Sequence, residues 1–179
     1  MTNFTDVIVL GGGAAGLFCA FTAGRRGLSV LVLDSSNKVG KKILMSGGGR
    51  CNFTNLDIQS ENYLSSNLNF CKSALKVYDQ WNFIDLVKNH KILYHERKHG
   101  ELFCVDSSKD ILRMLLDECA KVNVVIITSC NTKNIITKKK GYKIITSKGI
   151  FCSKSRVVAT GGLSIPTMGS SGFGYEIAN

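Results

Sequence analysis

The sequence predicts an α/β fold in which a parallel sheet is built around one right-handed βαβ unit. Residues 6–10 form a short, mainly apolar run that opens directly into glycine, as a buried parallel strand does. Residues 14–26 carry apolar side chains at helical spacing and end at Gly27, a residue type common at helix ends. A second apolar run follows and ends in Asp34. Strand, helix and strand in this order give the right-handed crossover of parallel sheets.

The rest of the chain is predicted to alternate loops, helices and hairpins. Residues 35–62 are glycine-rich, irregular and too long for a simple connector, so we expect a functional loop there. Apolar spacing and turn residues then predict two helices, a hairpin, a helix, a strand, a second hairpin and a buried strand, at about 69–80, 83–89, 92–105, 108–121, 124–128, 134–147 and 156–160. Ser107 or Ser108 is the expected cap of the helix at about 108–121. Trp81 is expected in the core, and a last helix is expected to begin at Tyr175.

The composition indicates an ordinary globular chain in the cytoplasm. The 179 residues are 44% hydrophobic and 20% charged, enough to bury one α/β core. Glycines interrupt the long uncharged run at residues 7–24, so we expect neither a signal peptide nor a membrane partner. The seven cysteines show no CxxC and no close histidine spacing. They predict reduced thiols and no metal site.

The formal net charge of +10 predicts attraction to anions, either a nucleotide pyrophosphate or nucleic acid. Lys138, Lys139 and Lys140 precede Gly141 and fit a solvated hairpin turn, and Lys, Asn and Ile are frequent along the whole chain. We therefore expect no nucleic-acid partner.

A glycine motif lies between the first strand and the first helix. Residues 11–16 read Gly-Gly-Gly-Ala-Ala-Gly and satisfy GxGxxG, a weak pattern that the flanking strand, the helix and Asp34 strengthen. Gly11 would allow the turn, Gly13 would let the backbone approach a pyrophosphate, and Gly16 would let the helix lie close to the strand. Asp34 could accept hydrogen bonds from ribose hydroxyls. The alternative is a glycine-rich turn that binds nothing, and the motif alone does not separate FAD from NAD.

Two later stretches are more specific. Residues 41–55 contain Ser46-Gly47-Gly48-Gly49-Arg50-Cys51-Asn52, and residues 159–166 read Ala-Thr-Gly-Gly-Leu-Ser-Ile-Pro, with a further Gly-Ser-Ser-Gly at 169–172. Together they resemble the signature of the HI0933-like flavoproteins, a family that includes the dehydro-bile-acid reductase and the aminoacetone oxidase-like proteins. The resemblance extends from Asp6 to Asn179 and covers the front part of the family's pattern.

The resemblance implies a Rossmann-like FAD-binding domain of the two-dinucleotide-binding-domain flavoprotein type, with a β-hairpin or meander excursion. It implies FAD as the cofactor and NAD(P)H as the usual electron donor. It also implies a truncated chain: a single, incomplete domain over residues 1–179, without the family's substrate domain and C-terminal FAD-contacting segment. A separate polypeptide would then supply the missing part.

The resemblance also assigns roles to residues. Gly11, Gly13, Ala14, Ala15 and Gly16 would hold the pyrophosphate, and Asp34 the ribose. Further cofactor contacts would come from three places: the loop beside the pyrophosphate and flavin, the backbone near adenine, and the turn that closes over the dinucleotide. These contacts are Lys42, Ser46, Gly47, Gly48, Gly49, Arg50, Cys51 and Asn52; Thr132; and Ala159, Thr160, Gly161 and Gly162.

Two of these side chains invite chemical interpretation. Arg50 would place a fixed positive charge beside a phosphate or the N1–C2=O edge of a reduced flavin, and the alternative is a surface ion pair. Cys51 has no second cysteine until Cys71, which favours a packing residue over a redox thiol. No catalytic acid or base can be assigned from the sequence.

Three hypotheses follow. The first is an FAD-dependent oxidoreductase that takes hydride from a nicotinamide and passes it to an acceptor such as an enone or dioxygen. The second is a non-catalytic remnant with weak or no nucleotide binding. The third, an NAD-binding dehydrogenase domain, is disfavoured by residues 46–55.

Overall fold

A computed structural model describes residues 3–163 and 172–178. The chain forms two compact units, Met1–Lys42 with Leu115–Asn179 and Ile43–Met114. The assignment of residues 1–179 to one incomplete domain stays a prediction. Among the described residues, every helix is too short or too polar to cross a membrane.

The described residues contain nine strands and six α-helices. The strands are β1 (Asn3–Leu10), β2 (Val30–Leu33), β3 (Asn52–Asn55), β4 (Tyr94–Glu96), β5 (Glu101–Cys104), β6 (Val125–Ile127), β7 (Thr132–Lys138), β8 (Gly141–Thr146) and β9 (Gly149–Val158). The helices are α1 (Ala14–Arg25), α2 (Lys41–Met45), α3 (Lys72–Val77), α4 (Gln80–Asn89), α5 (Ser108–Lys121) and α6 (Phe173–Ala178), with 3-10 turns at Ser46–Gly49, Ser60–Asn62 and Lys98–Gly100.

The first unit contains a six-stranded sheet in the order β6-β2-β1-β9-β8-β7. Strands β6, β2, β1 and β9 are parallel, and β8 and β7 continue the sheet as an antiparallel meander. Leu10 is in register with both Leu33 and Val158, and Leu33 with Ile127. The carboxyl ends of all four parallel strands therefore meet at one edge, where α/β sheets bind ligands.

Apolar side chains hold this sheet together on both faces. Helix α1 buries Leu17, Ala20 and Phe21, as its helical spacing predicts. A second group of buried side chains includes residues of the parallel strands and of the meander: Ile8, Leu10, Leu31, Leu33, Cys130, Ile144 and Phe151. The meander thus shares its core with the βαβ unit.

Helix α1 is also fixed to the end of α5. Glu118 is 3% exposed, forms an ion pair with Arg25 and accepts a hydrogen bond from Lys121 at 2.6 Å. The thiol of Cys119 donates to the carbonyl oxygen of Leu17. A buried carboxylate requires such partners, because an uncompensated charge is costly in the interior.

The second unit contains a three-stranded antiparallel sheet in the order β3-β5-β4. Its helix α4 begins with a capping box, in which Asp79 accepts from the backbone N–H of Asn82 and Asn82 accepts from that of Asp79, both at 3.0 Å. Ile84 and Val87 form the buried face of α4.

The predicted fold class is confirmed, and most element positions are close to expectation. The βαβ unit and both hairpins form where the sequence places them. Ser107 caps α5, since its hydroxyl accepts from the N–H of Lys109 at 3.2 Å. Helix α6 begins at Phe173, two residues before the expected start.

Four expectations were wrong in detail. Residues 35–62 are not wholly irregular, because they contain α2 and β3. The helix expected at 69–80 is α3 alone, because Asp79 ends that segment by capping α4. The last strand begins at Gly149, well before the expected residue 156. Trp81 is 52% exposed and outside the core.

The contact between α1 and the end of α5 gives the first testable prediction. A Cβ on Gly24 would lie 2.5 Å from Cγ2 of Val122, so Gly24→Val should lower the free energy of unfolding by about 1–3 kcal/mol through overpacking. Urea denaturation measures this loss. In a Val122→Ala background the loss should shrink by about 1 kcal/mol or more. An equal loss in both backgrounds would show that this contact does not set the packing.

Candidate functional site

The turn from β1 into α1 is built from close backbone contacts. Gly11 has φ +105°, a conformation that favours glycine, and a Cβ there would overlap the carbonyl oxygen of Ala159. A Cβ on Gly16 would overlap the carbonyl oxygen of Gly11. The N–H of Ala159 donates to the carbonyl oxygen of Leu10 at 2.8 Å. These contacts hold the first turn of α1 at the carboxyl edge of the sheet.

The amino terminus of α1 is open. Its N-cap is Gly13, no side chain caps it, and the first turn carries no acid. A Cβ on Gly13 would meet nothing within 4 Å, and Ala14 and Ala15 are exposed. Free N–H groups at the positive end of a twelve-residue helix attract an anion. This end of the helix therefore fits a pyrophosphate.

Asp34 lies beside this turn. One carboxylate oxygen accepts from the N–H of Gly12 at 2.6 Å, and the other accepts from the N–H of Ser36 at 2.7 Å. Because a carboxylate has about four acceptor positions, two remain for ribose hydroxyls. The backbone bonds fix the carboxylate where the ribose of a dinucleotide would lie.

The end of β9 completes this side of the site. Gly161 has φ +76°, and a Cβ there would lie 3.4 Å from Nζ of Lys42. Thr160 follows Ala159 next to Gly11. Lys42 therefore brings a positive charge to the glycine turn that, by the family resemblance, would close over the dinucleotide.

The predicted adenine contact starts near the ribose site. The N–H of Cys130 donates to the carbonyl oxygen of Asp34 at 2.8 Å, and β7 begins two residues later at Thr132. The first unit thus brings together most of the predicted cofactor residues around one edge of its sheet: Gly11, Gly13, Ala14, Ala15, Gly16, Asp34, Lys42, Ala159, Thr160 and Gly161. Gly162 follows directly in the chain.

The second predicted glycine stretch forms a left-handed turn. Gly47 and Gly48 have φ +56° and +65°, and Gly49 has φ +86°. A Cβ on Gly47 would lie 2.7 Å from the nitrogen of Asn52, whereas Gly48 and Gly49 face open space. The N–H of Cys51 donates to the carbonyl oxygen of Ser46 at 3.0 Å and closes the turn. Open glycine backbone of this kind can lie flat against a ligand.

Arg50 and Cys51 follow this turn with different environments. Arg50 is exposed, and the structure gives its guanidinium no ion pair among residues 3–163 and 172–178, so the alternative of a surface ion pair gains no support. Cys51 is 5% exposed, and burial raises the pKa of its thiol. A buried, protonated thiol agrees with a packing role.

The two sets of predicted cofactor residues belong to different compact units. Residues 46–52 lie in the second unit, and the others lie in the first. Their approach to one common ligand stays a prediction.

Three residues of the site had no individual role in the prediction: Gly12, Val39 and Gly40. Gly12 donates to Asp34, and a Cβ on Gly12 would overlap Val39. The N–H of Gly40 donates to the carbonyl oxygen of Gly12 at 2.9 Å. The available signal for Gly12 was its position in the middle of an unbroken run of three glycines, because GxGxxG leaves that position unspecified.

The described residues were compared with two other kinds of site, a metal centre and a disulfide. No group of three or more His, Cys, Asp or Glu side chains within 3–163 and 172–178 could hold a metal ion. The cysteines of this part of the chain are free thiols. The glycine turn with Asp34 is the candidate site that these residues support.

The comparison with known families decides the identity of this fold. The model described as "HI0933-like protein Rossmann domain" matches residues 5–179. The chain belongs to this family. The resemblance drawn from residues 46–52 and 159–166 is therefore confirmed.

Curated relatives share much of this sequence. The chain is 49% identical over 174 residues to a protein named ribosomal RNA dihydrouridine synthase from Escherichia coli, covering 97% of this chain and 43% of the relative. A protein of the same name from Haemophilus influenzae is 44% identical over 183 residues, covering 99% and 45%. A 3-dehydro-bile acid delta(4,6)-reductase from Clostridium scindens is 28% identical over 173 residues, covering 95% and 42%. The chain spans less than half the length of these relatives.

Solved structures agree on the fold. A 3-ketosteroid-delta4-(5alpha)-dehydrogenase from Rhodococcus jostii superposes with a TM-score of 0.64 at 15% identity, over 89% of this chain and 46% of that protein. The amino acid oxidase NikD superposes with a TM-score of 0.59 at 15% identity, over 91% of this chain and 53% of that protein. The Rossmann-like fold of flavoprotein oxidoreductases is thus shared with chains of little sequence similarity.

The buried thiols next to the second glycine turn give the second prediction. Burial is the main cause that raises the pKa of Cys104 to about 12, and the neighbouring Cys51 contributes to the same increase. Because the thiolate is the reactive form, Cys104 should alkylate at least about tenfold more slowly near neutral pH than the less buried Cys71 and Cys152. Its rate should rise as the pH approaches 12. Mass spectrometry of iodoacetamide-labelled peptides measures the rates, and fast labelling of Cys104 in the native protein would contradict its burial.

Proposed function

We propose that this chain is the FAD-binding part of a flavin-dependent reductase that uses NAD(P)H as its electron donor. The observation that carries the proposal is the open amino terminus of α1 at Gly13, with Asp34 fixed beside it. The helix end would bind the pyrophosphate, and the carboxylate would bind the ribose hydroxyls. Family membership supports FAD over NAD, since the glycine stretch at 46–52 belongs to the signature that led to this family.

The other candidate residues would complete the cofactor site. Lys42 would add positive charge beside the pyrophosphate, and Arg50 would stabilise negative charge on the ring system. The backbone near Thr132 would contact adenine. Bound FAD would supply two-electron hydride chemistry, while the protein binds and orients it. No residue on this chain is assigned as the proton donor to the substrate.

The relatives' names support one class of reaction. Dihydrouridine is uridine with its C5=C6 double bond reduced, and that bond is conjugated to the C4 carbonyl. A 3-dehydro bile acid with double bonds at positions 4 and 6 likewise holds them in conjugation with the C3 carbonyl. In both cases hydride adds to a carbon that a conjugated carbonyl makes electrophilic. We propose reduction of such a C=C bond as the reaction of the whole protein.

Uridine in ribosomal RNA is the proposed substrate. The two relatives whose names contain this substrate are 49% and 44% identical to this chain, against 28% for the bile-acid reductase. This proposal departs from the expectation of no nucleic-acid partner, which no observation of the structure tests. The cytoplasm, where NAD(P)H and ribosomes occur and thiols stay reduced, is the proposed location.

The proposed activity needs more protein than this chain offers. The curated relatives are more than twice as long as the part of them that this chain matches. The additional segments, on the same polypeptide or a separate one, would hold the substrate over the flavin. Flavin binding can therefore be tested on this chain, whereas turnover needs those segments.

The third prediction separates ligand binding from folding at Gly13. Aspartate is a favoured N-cap residue, and a Cβ at Gly13 meets nothing within 4 Å. Gly13→Asp should therefore leave stability unchanged or raise it by a few tenths to about 1 kcal/mol. The new carboxylate would occupy the pyrophosphate position and repel it, so the purified variant should lose the visible absorbance of bound flavin. Absorbance spectra and urea denaturation measure the two effects.

A matched variant controls for added charge. Ser107→Asp places the same carboxylate at the amino terminus of α5, outside the candidate site, and should keep its flavin. Equal flavin content in Gly13→Asp and wild type would overturn the proposed site.

Two further outcomes concern the cofactor and the reaction. A colourless wild-type protein that binds NAD would overturn the choice of FAD. Bound flavin without dihydrouridine formation by the complete protein would support the remnant hypothesis instead.

A further inference from the structure

The positive charge of this chain is concentrated in one region. Between Glu118 and Glu176 the sequence contains no acidic residue and nine basic ones: Lys121, Lys133, Lys138, Lys139, Lys140, Lys143, Lys148, Lys154 and Arg156. The whole chain has a net charge of +10. Almost all of the excess therefore lies in this region, and acids and bases roughly balance elsewhere.

Most of these basic residues lie on the meander of β7, β8 and β9. Five of its lysines are exposed: Lys133, Lys138, Lys139, Lys140 and Lys148. The structure gives these five ammonium groups no ion pair among residues 3–163 and 172–178. We call these five residues the lysine surface.

Neighbouring basic residues differ in this respect. Lys154 pairs with Asp6 at 2.7 Å, and Lys121 pairs with Glu118 at 2.6 Å. Arg156 lies over the ring of Tyr142, with 4.9 Å between the guanidinium carbon and the ring centroid. These three side chains have partners within the fold. The charge of the lysine surface is therefore available to an outside partner.

The lysine surface lies on the accessible border of the sheet. Strand β7 is an edge strand of the sheet. Lys138 ends this strand, and Lys139 and Lys140 form the turn into β8. Lys148 lies in the turn between β8 and β9. The length of β8 separates these two turns by roughly 17–20 Å at about 3.4 Å per residue. The charges thus extend along a strip and are not gathered around one point, as they would be for a single small anion.

We propose that the lysine surface binds the phosphate backbone of the ribosomal RNA substrate. This inference rests on the proposed function, which supplies an RNA partner. Flexible lysines along an extended border, on strands that carry no acidic side chain, match a polyanion with regularly repeated charge, because each neutralised phosphate releases condensed counterions. Backbone contacts of this kind give affinity and orientation, and the choice of uridine is left to the cofactor site.

Removal of the lysine charges tests the proposal. In the full-length protein, Lys138→Gln, Lys139→Gln and Lys140→Gln are combined, and binding to a labelled ribosomal RNA fragment is followed by fluorescence anisotropy from about 50 to 200 mM salt. Each lost phosphate contact lowers the slope of log K against log salt by about 0.7–0.9. The triple variant should therefore bind more weakly, with a slope smaller by about two.

A matched triple variant removes three exposed lysines of the second unit, Lys76→Gln, Lys98→Gln and Lys109→Gln, and should keep the wild-type slope. Equal slopes in wild type and in the variant of Lys138, Lys139 and Lys140, called the meander variant, would overturn the inference. An equal loss of slope in both triple variants would overturn it as well.

Anionic phospholipid vesicles form a second arm of the experiment. Binding to vesicles, lost in the meander variant, without binding to RNA would also overturn it. Urea denaturation checks folding, and the single variant Lys139→Glu repeats the test with less change.

The outcome is independent of the flavin test. The Gly13→Asp variant should bind RNA with the wild-type slope, because it changes only the cofactor turn. Loss of flavin with retained RNA binding supports both proposals. A wild-type protein that holds flavin and forms dihydrouridine, yet shows no lysine dependence, overturns the lysine surface alone. A protein without flavin that still binds RNA through the meander overturns only the proposed reaction.

Discussion

The close approach of Gly11 to the end of β9 is the contact on which the first unit depends. Pairing of β1 with β9 places Ala159 against Gly11, where only a residue without Cβ fits. Gly16 meets the same turn from the side of the helix. Sheet register and helix position are thus fixed by one set of backbone contacts. Because the same contacts leave the end of α1 open at Gly13, the packing that completes the fold also forms the candidate anion site.

Elements with a strong local pattern were predictable from the sequence. The apolar run before Gly11, the helix up to Gly27 and the second apolar run before Asp34 carry their own signals, and the structure follows them. Strand β3 has no such signal, since Asn-Phe-Thr-Asn is neither apolar nor alternating, and its conformation depends on pairing with β5 about fifty residues later. Trp81 was wrongly predicted in the core, because the buried face of α4 is formed by Ile84 and Val87.

The candidate site was predictable where its residues are adjacent in sequence. GxGxxG with a following acid specifies Gly11, Gly13, Gly16 and Asp34. Gly11 and Gly16 meet local steric demands, whereas Gly13 leaves space at the end of α1. The contact of Val39 and Gly40 with Gly12 could not be predicted from the motif. It depends on the path of a loop between β2 and α2, and no spacing rule describes such a path.

The two proposed kinds of anion recognition in this chain use different chemistry. The cofactor turn lies within residues 7–24, which carry no charged side chain, and it would attract phosphate through oriented N–H groups and the helix dipole. Such groups act over short distances and fix one ligand geometry. Lysine ammonium groups on flexible stems act over a Debye length, about 10 Å at moderate salt, and tolerate many geometries. The net charge of +10 therefore does not arise from the cofactor site, although a basic protein with a nucleotide motif invites that interpretation. The cofactor site does not use this charge, which is concentrated on one border of the sheet. A polyanionic substrate would explain why the charge is there.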